Sequence, residues 1–282
     1  MSALLGPGRA EAGGRFLEEA APRGVPPSEL EVRLVPDLAL TAGMLGVALL
    51  LERSKEELRD DLSCPEDQVV EPEICDAAMV NPLDRLFMGR AHPEASAWSD
   101  VLLLGLATAP LAFSAVDAGL RTPADASSPG ARLGRDTLVV AQTYAATYLA
   151  TNVTKLLVQR LRPFNYDPRF RRARLDGDSR VSFPSGHSSM AFASAATLSV
   201  LLEQRYPGEP WATGLSVGAF AVAGTVAVLR VLAERHFPSD VLVGAALGTT
   251  LGLLIPRFHR GRGVAVEPAV ASPVLLGLGG RF

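Results

Sequence analysis

The chain has 282 residues, of which 48% are hydrophobic and 20% charged, and a net charge of -3. A mean hydropathy of +0.21 is too apolar for an ordinary soluble enzyme, while the charge excludes a chain of lipid-buried segments alone; a membrane protein with polar loops fits both. An isoelectric point near 5.9 gives no ground for nucleic-acid binding.

In chain order, Met1 to about Leu34 is rich in Gly, Pro, Ala and charge, and its early apolar cluster, Ala3 to Leu5, is too short for a signal-peptide core. Residues 1–36 read as a flexible cytoplasmic tail. Leu38 to Leu51 is apolar but only about 14 residues long, against the ~20 a membrane crossing needs, so as a first span it must borrow flanking residues or tilt little. Glu52 to Asp100 reads as an acidic loop holding both cysteines, Cys64 and Cys75. They pair if the loop is exported and otherwise stay as two thiols. A metal site there lacks further ligands, because His92 stands far along among Ala and Pro. Leu83, Leu86 and Phe87 at helical spacing suggest packing or interfacial contact.

Val101 to Val116, preceded by Trp98, is a second span, and Asp117 to Asp136 a polar connector. A third span, Thr137 to Val158, carries Gln142, Thr143, Thr147, Thr151 and Asn152, the polarity of a helix buried in a bundle. It runs into KLLVQRLRP, where Lys155 and Arg162 stand seven residues apart, nearly above one another on a helix that Pro163 stops. Arg160, Arg169, Arg171, Arg172, Arg174 and Arg180 make the following stretch basic, either as a solvated loop or as an attractor of anionic head groups. Next comes Pro184-Ser185-Gly186-His187, a turn that hands over to an apolar run from Ser188 to Leu202 and leaves backbone amides at a helix entrance, a setting that favours anions. Trp211 to Leu229 and Val241 to Ile255 are the last two spans. Between them lies RVLAERHFPSD, with Arg230 closing one span and His236 and Asp240 one helical turn apart opening the next, so that a carboxylate can orient an imidazole.

Each feature alone has an ordinary structural reading: a histidine cap, snorkelling cations, a common turn. Together they supply what phosphoryl transfer requires, namely cations and amides for the equatorial oxygens and two imidazoles for in-line entry and exit. A neutral imidazole attacks phosphorus when its other nitrogen is hydrogen-bonded, and this inventory requires no metal or other cofactor.

The three motifs, K-x6-RP, PSGH and R-x5-H-x3-D, resemble the signature of the type 2 phosphatidic acid phosphatase and vanadium haloperoxidase superfamily, over roughly the C-terminal half of the chain. The resemblance implies that Lys155, Arg162 and Arg230 hold phosphate oxygens and that Ser185 and Gly186 donate hydrogen bonds. It further implies that His236 is the nucleophile, that Asp240 orients it, and that His187 protonates the leaving oxygen and then activates water. One position departs from the pattern: Leu229 stands where the family has Ser, so a hydroxyl near the phosphate is missing.

The expectation is an all-α fold, a six-helix transmembrane bundle over 37–258 with the catalytic motifs at 155–240 and a loose tail at 259–282. With the N-terminus inside, the motifs and the cysteine loop fall at the outer membrane face, the periplasm of a bacterial inner membrane or a lumen, while Arg257, Arg260 and Arg262 fall inside. The expected partners are the membrane and a lipid phosphate of the phosphatidic acid, phosphatidylglycerol phosphate or polyprenyl diphosphate type. A vanadate-dependent haloperoxidase and a non-catalytic head-group binder or transporter are the other readings; apolar spans speak against the first, and two histidines with Asp240 against the second.

Overall fold

The computed structural model describes residues 29–57, 69–71, 74–89, 91–120, 128–167, 169 and 181–260. Six long helices dominate these residues: α1 (Leu34–Glu57), α3 (Pro93–Leu120), α4 (Pro129–Val158), α5 (Gly186–Arg205), α6 (Pro210–Leu232) and α7 (Pro238–Phe258). Between α1 and α3 lie a small antiparallel hairpin, β1 (Val69–Glu71) with β2 (Ile74–Cys75), and the single turn α2 (Pro82–Arg85). The helix starts follow local chemistry. Proline, which has no N–H and so needs no acceptor in the first turn, opens α3, α4, α6 and α7. Ser128 and Ser185 cap α4 and α5 by accepting from Ala131 N and Ser188 N.

The first apolar run does borrow its flanks: α1 begins at Leu34 and spans 24 residues. Four helices, α1, α3, α6 and α7, are long and apolar enough to cross a membrane, and they make the chain an integral membrane protein. By this measure α4 and α5 fall short, because they carry the bundle's buried polar groups, among them Thr143, Thr147 and Asn152 on α4 and Ser188, Ser194 and Thr197 on α5. On the outward faces Leu104, Val217 and Leu242 lie exposed, the surface a bilayer would cover.

α5 is the hub of the bundle. Its Ala191, Ala195 and Leu198 meet Leu106 of α3 and Ala223 and Val226 of α6 in the main apolar core. Its other side receives α7 so closely that a Cβ added to Gly248 would lie 1.9 Å from Ser189 O, and only glycine permits this approach.

Several expectations are corrected. Among the described residues of the acidic loop, helix replaces part of it: α3 begins at Pro93 and takes in Trp98 and Asp100, and α2 precedes it, with Leu83, Leu86 and Phe87 exposed on and just after that turn. Cys75 is buried and disulfide-bonded, whereas Cys64 lies outside the described residues. The connector is also shorter than expected, since α3 runs to Leu120 and α4 starts at Pro129. Asp117 and Asp136 are therefore helical and buried, because Arg205 of α5 lies between them, 3.2 Å from Asp117 Oδ2 and ion-paired to Asp136. The end of the expected N-terminal tail is packed: Leu30 is buried and bridged to Arg260, and Glu31 N donates to His259 O at 2.7 Å. Residues 1–28 and 261–282 of the expected tails lie outside the described residues, as do Arg171, Arg172, Arg174 and Arg180.

Candidate active site

Consecutive long helices run in alternating directions, so one end of the bundle collects the C-termini of α1, α4 and α6 and the N-termini of α3, α5 and α7. The three motifs meet there. A cavity of about 280 Å³ is lined by Lys155, Arg162, Gly186, His187, Arg230 and His236, together with Glu52, Tyr148 and Thr151 among others. A larger cavity, about 870 Å³, lies towards the other end among α1, α4 and α7; it is lined by residues such as Asp37, Gln142 and His259 and holds none of the motif residues.

Lys155 and Arg162 reach the cavity by a route the spacing did not predict. The helix ends at Val158, not at Pro163: Gln159 adopts the left-handed conformation (φ 49°) and its N–H caps Lys155 O. Arg162 is extended, as a residue preceding proline tends to be, and leads into a 3-10 turn, Pro163–Tyr166. Both cations are nonetheless buried, at 6% and 2% exposure.

At the start of α5, Ser185 lies wholly buried behind the cavity. Its Oγ accepts from Ser188 N at 3.3 Å and its own N–H donates to Asp240 O at 3.0 Å, so its backbone donor is already engaged. The helix itself offers no acceptor to the amides of Gly186 and His187, and these are the donors left to face an anion.

His236 occupies the link between α6 and α7, 2% exposed. Its Nε2 is 3.4 Å from Arg162 Nη1, on the cationic side, and its Nδ1 faces the other way. Asp240 stands behind that nitrogen at 3.8 Å, too far for a direct hydrogen bond. Ser182 fills the gap: its Oγ donates to Asp240 Oδ2 at 2.5 Å and lies 3.4 Å from His236 Nδ1. Burial, and then the positive charges of Arg162, Arg230 and Lys155, hold the His236 imidazole well below its ordinary pKa of 6.5. The ring is therefore neutral at physiological pH.

Several further groups complete the site. Asp100, on α3, accepts at 2.7 Å from His187 Nε2 and lies 3.5 Å from Arg230 Nη1, tying two motifs together. Ser96 and Ser99 accept from Arg230 Nη1 at 3.3 and 3.2 Å, so this arginine has hydroxyl partners even though Leu229 provides none. Arg160 was visible within the first motif stretch but carried no assigned role. It donates to Asp240 Oδ1, Ser239 Oγ and Asp84 Oδ2 at 2.6–2.7 Å and stacks over Phe237 at 4.1 Å. Asp84 also accepts from Ser239 N and Ser239 Oγ, at 3.0 and 2.6 Å. Burial pushes the Asp84 carboxyl up, yet its bonds from Ser239, Arg160 and Asn81 outweigh this and leave it below the usual range. Among the described residues no group of three or more His, Cys, Asp or Glu has the arrangement of a metal site.

The PAP2 superfamily model matches residues 136–263. The lipid A 1-phosphatase of Porphyromonas gingivalis is 40% identical over 85 residues, covering 30% of this chain and 18% of that protein. The decaprenylphosphoryl-5-phosphoribose phosphatase of Mycobacterium tuberculosis is 34% identical over 131 residues, covering 46% and 66% respectively. The chain thus spans less than two thirds of either relative. A crystal structure of a transmembrane PAP2-type phosphatidylglycerolphosphate phosphatase from Bacillus subtilis aligns with a TM-score of 0.43 at 20% identity, covering 79% of this chain and 94% of that one. Lys155, Arg162, the Pro184–His187 turn, Arg230, His236 and Asp240 all lie inside the segment, residues 136–263, that is similar to the PAP2 superfamily.

Proposed function

We propose that the chain is a metal-independent phosphatase acting on the phosphate of a membrane lipid through a phosphohistidine. The observation that carries this reading is the lining of the 280 Å³ cavity, where Lys155, Arg162 and Arg230 surround two histidines on separate elements. The three cations neutralise the equatorial oxygens as charge redistributes, with the Gly186 amide adding a donor at the head of α5. Nε2 of neutral His236, facing the cations, attacks phosphorus, while Nδ1–H is steadied through Ser182 by Asp240. His187, set by Asp100, gives its proton to the departing oxygen. Water then attacks the phosphohistidine, His187 takes the proton, and inorganic phosphate leaves.

The reading includes six membrane crossings, with α4 and α5 shielded inside the bundle, and a cavity at the outer face. Its support is the alternation of helix ends, the disulfide-bonded Cys75 on the segment at the cavity end, and Arg257 and Arg260 at the opposite end. The relatives named above are phosphatases of lipid A and of a polyprenyl phosphoribose, in keeping with a lipid phosphate substrate.

The test is phosphate release by the purified full chain from phosphatidic acid, phosphatidylglycerol phosphate and a polyprenyl diphosphate, with EDTA and with vanadate, and bromide oxidation measured alongside. Release that survives EDTA and is blocked by vanadate is expected. Activity lost in EDTA and restored by magnesium rejects the metal-independent chemistry. Bromide oxidation without hydrolysis assigns the site to haloperoxidase chemistry.

A further inference from the structure

We infer that Glu52, Tyr148 and Thr151 form a subsite for the hydroxyls of a sugar or glycerol unit bearing the scissile phosphate, which makes the substrate a polyol phosphomonoester lipid and not a lipid diphosphate. The inference rests on the phosphatase reading above.

Space is the first argument. A phosphate group takes the room of about three waters, on the order of 90 Å³ at ~30 Å³ each, which fills only about a third of the 280 Å³ cavity. The remaining wall differs in character from the cationic one. Glu52, from the last turns of α1, places a carboxylate in a pocket whose other charged lining residues, Lys155, Arg162 and Arg230, are cations, and Tyr148 Oη donates to its Oε2 at 2.8 Å. Thr151 is 3% exposed, and its Oγ1 has no hydrogen-bond partner among the described residues. A buried hydroxyl left without a partner is costly, and here it lines the cavity.

Position ties this wall to the phosphate. Tyr148, Thr151 and Lys155 follow one another along a single face of α4. Thr151 Cγ2 would lie 3.7 Å from a Cβ built on Gly186, so the wall borders the amide that faces the anion. An ionised carboxylate only accepts hydrogen bonds, whereas a threonine hydroxyl both donates and accepts. A polyol hydroxyl exchanges hydrogen bonds with the unpartnered Thr151 Oγ1, and a neighbouring one donates to the Glu52 carboxylate alongside the bond it already accepts from Tyr148. A second phosphate at the same wall would set like charges against each other beside Glu52. Glu52 lies outside the segment that matches the superfamily, whereas Tyr148 and Thr151 lie inside it.

The alternative is that Glu52 and Tyr148 merely fasten α1 to α4. The experiment compares kcat/KM for phosphatidylglycerol phosphate with that for a polyprenyl diphosphate, using the full-length protein in mixed micelles, as wild type, Glu52→Gln and Thr151→Val, with Tm measured for each. Wild type should favour the glycerol phosphate. Each variant should lower that preference by about 10-fold, the scale of one hydrogen bond lost from a buried site, and Glu52→Gln should also raise the diphosphate rate. A wild-type preference for the diphosphate overturns the subsite, as does a fall in all rates in proportion with Tm and an unchanged ratio. Should Glu52→Gln not fold, the near-isosteric Thr151→Val carries the same comparison. Absence of phosphate release from every substrate overturns the phosphatase reading, and the subsite with it.

Discussion

Replacing Gly248 by alanine tests how the α5–α7 contact controls the site. The added methyl would stand 1.9 Å from Ser189 O and 2.9 Å from Ala193 N, and both are backbone atoms that no rotamer change can move aside. Reaching the 3.4 Å of ordinary contact requires the helices to part by about 1.5 Å along that direction. Overpacking of this kind costs about 1–3 kcal/mol, which at ~3 °C per kcal/mol lowers Tm by roughly 3–9 °C. The larger effect should be on turnover. α5 begins at Gly186 and α7 carries Asp240, and Ser185 N–H bonds Asp240 O at 3.0 Å, so parting the helices separates His187 from the His236–Asp240 side. A displacement near 1 Å at reacting groups lowers kcat by about 10². Gly218→Ala is the control, because a methyl on that residue meets nothing within 4 Å. Thermal unfolding in detergent and phosphate release are the assays. If Gly248→Ala equals wild type in both, the close approach does not hold the site, and the reasoning fails.

The two histidines should separate by leaving-group chemistry. With p-nitrophenyl phosphate, whose phenolate leaves unaided, His187→Ala should keep a burst of p-nitrophenol with slow turnover and His236→Ala should show none; the reverse pattern rejects the role assignment. On a lipid alkoxide, His187→Ala should lose about 10²- to 10⁴-fold. Because burial and its cationic neighbours depress the His236 pKa, the acid limb of kcat/KM should fall below pH 6.5, and Arg162→Met, which removes the charge nearest the ring, should move it upward. The same depression means that the unfolded chain binds more protons than the folded one below pH 6.5, so stability should fall as pH drops through that range, as chemical denaturation at pH 5 and 7 would show. Thiol blocking in whole cells followed by non-reducing mass spectrometry should recover Cys64 joined to Cys75; alkylation of both without reduction speaks against an exported, oxidised hairpin.

The cavity was legible because its residues come in short motifs whose local geometry is nearly self-contained: a helix end, a capped turn, a link into the next helix. Six of the eight expected residues line it, with Ser185 and Asp240 directly behind. The parts that were not legible depend on partners far away in sequence. Asp100 and Asp84 meet their partners across 87 and 155 residues, and nothing in their flanking residues announces this. Asp117 and Asp136 looked like connector residues because a charge usually marks solvent. They are buried because Arg205, on another helix, meets both, and losing that arginine would leave two uncompensated buried carboxylates. The stop at Gln159 was missed because a left-handed cap at a non-glycine residue has little compositional signal, whereas Pro163 is conspicuous.

The hairpin between α5 and α6, Tyr206 to Glu209, lies at the end of the bundle away from the cavity, and its Gly208 has a φ of +77°. α5 is 20 residues long, which puts this turn ~30 Å from Gly186 at 1.5 Å per residue. A fluorophore or epitope inserted there would sit in the other aqueous compartment if α5 crosses the bilayer. Catalysis and labelling could then be addressed from opposite sides of a sealed vesicle, with an impermeant quencher reaching only one of them.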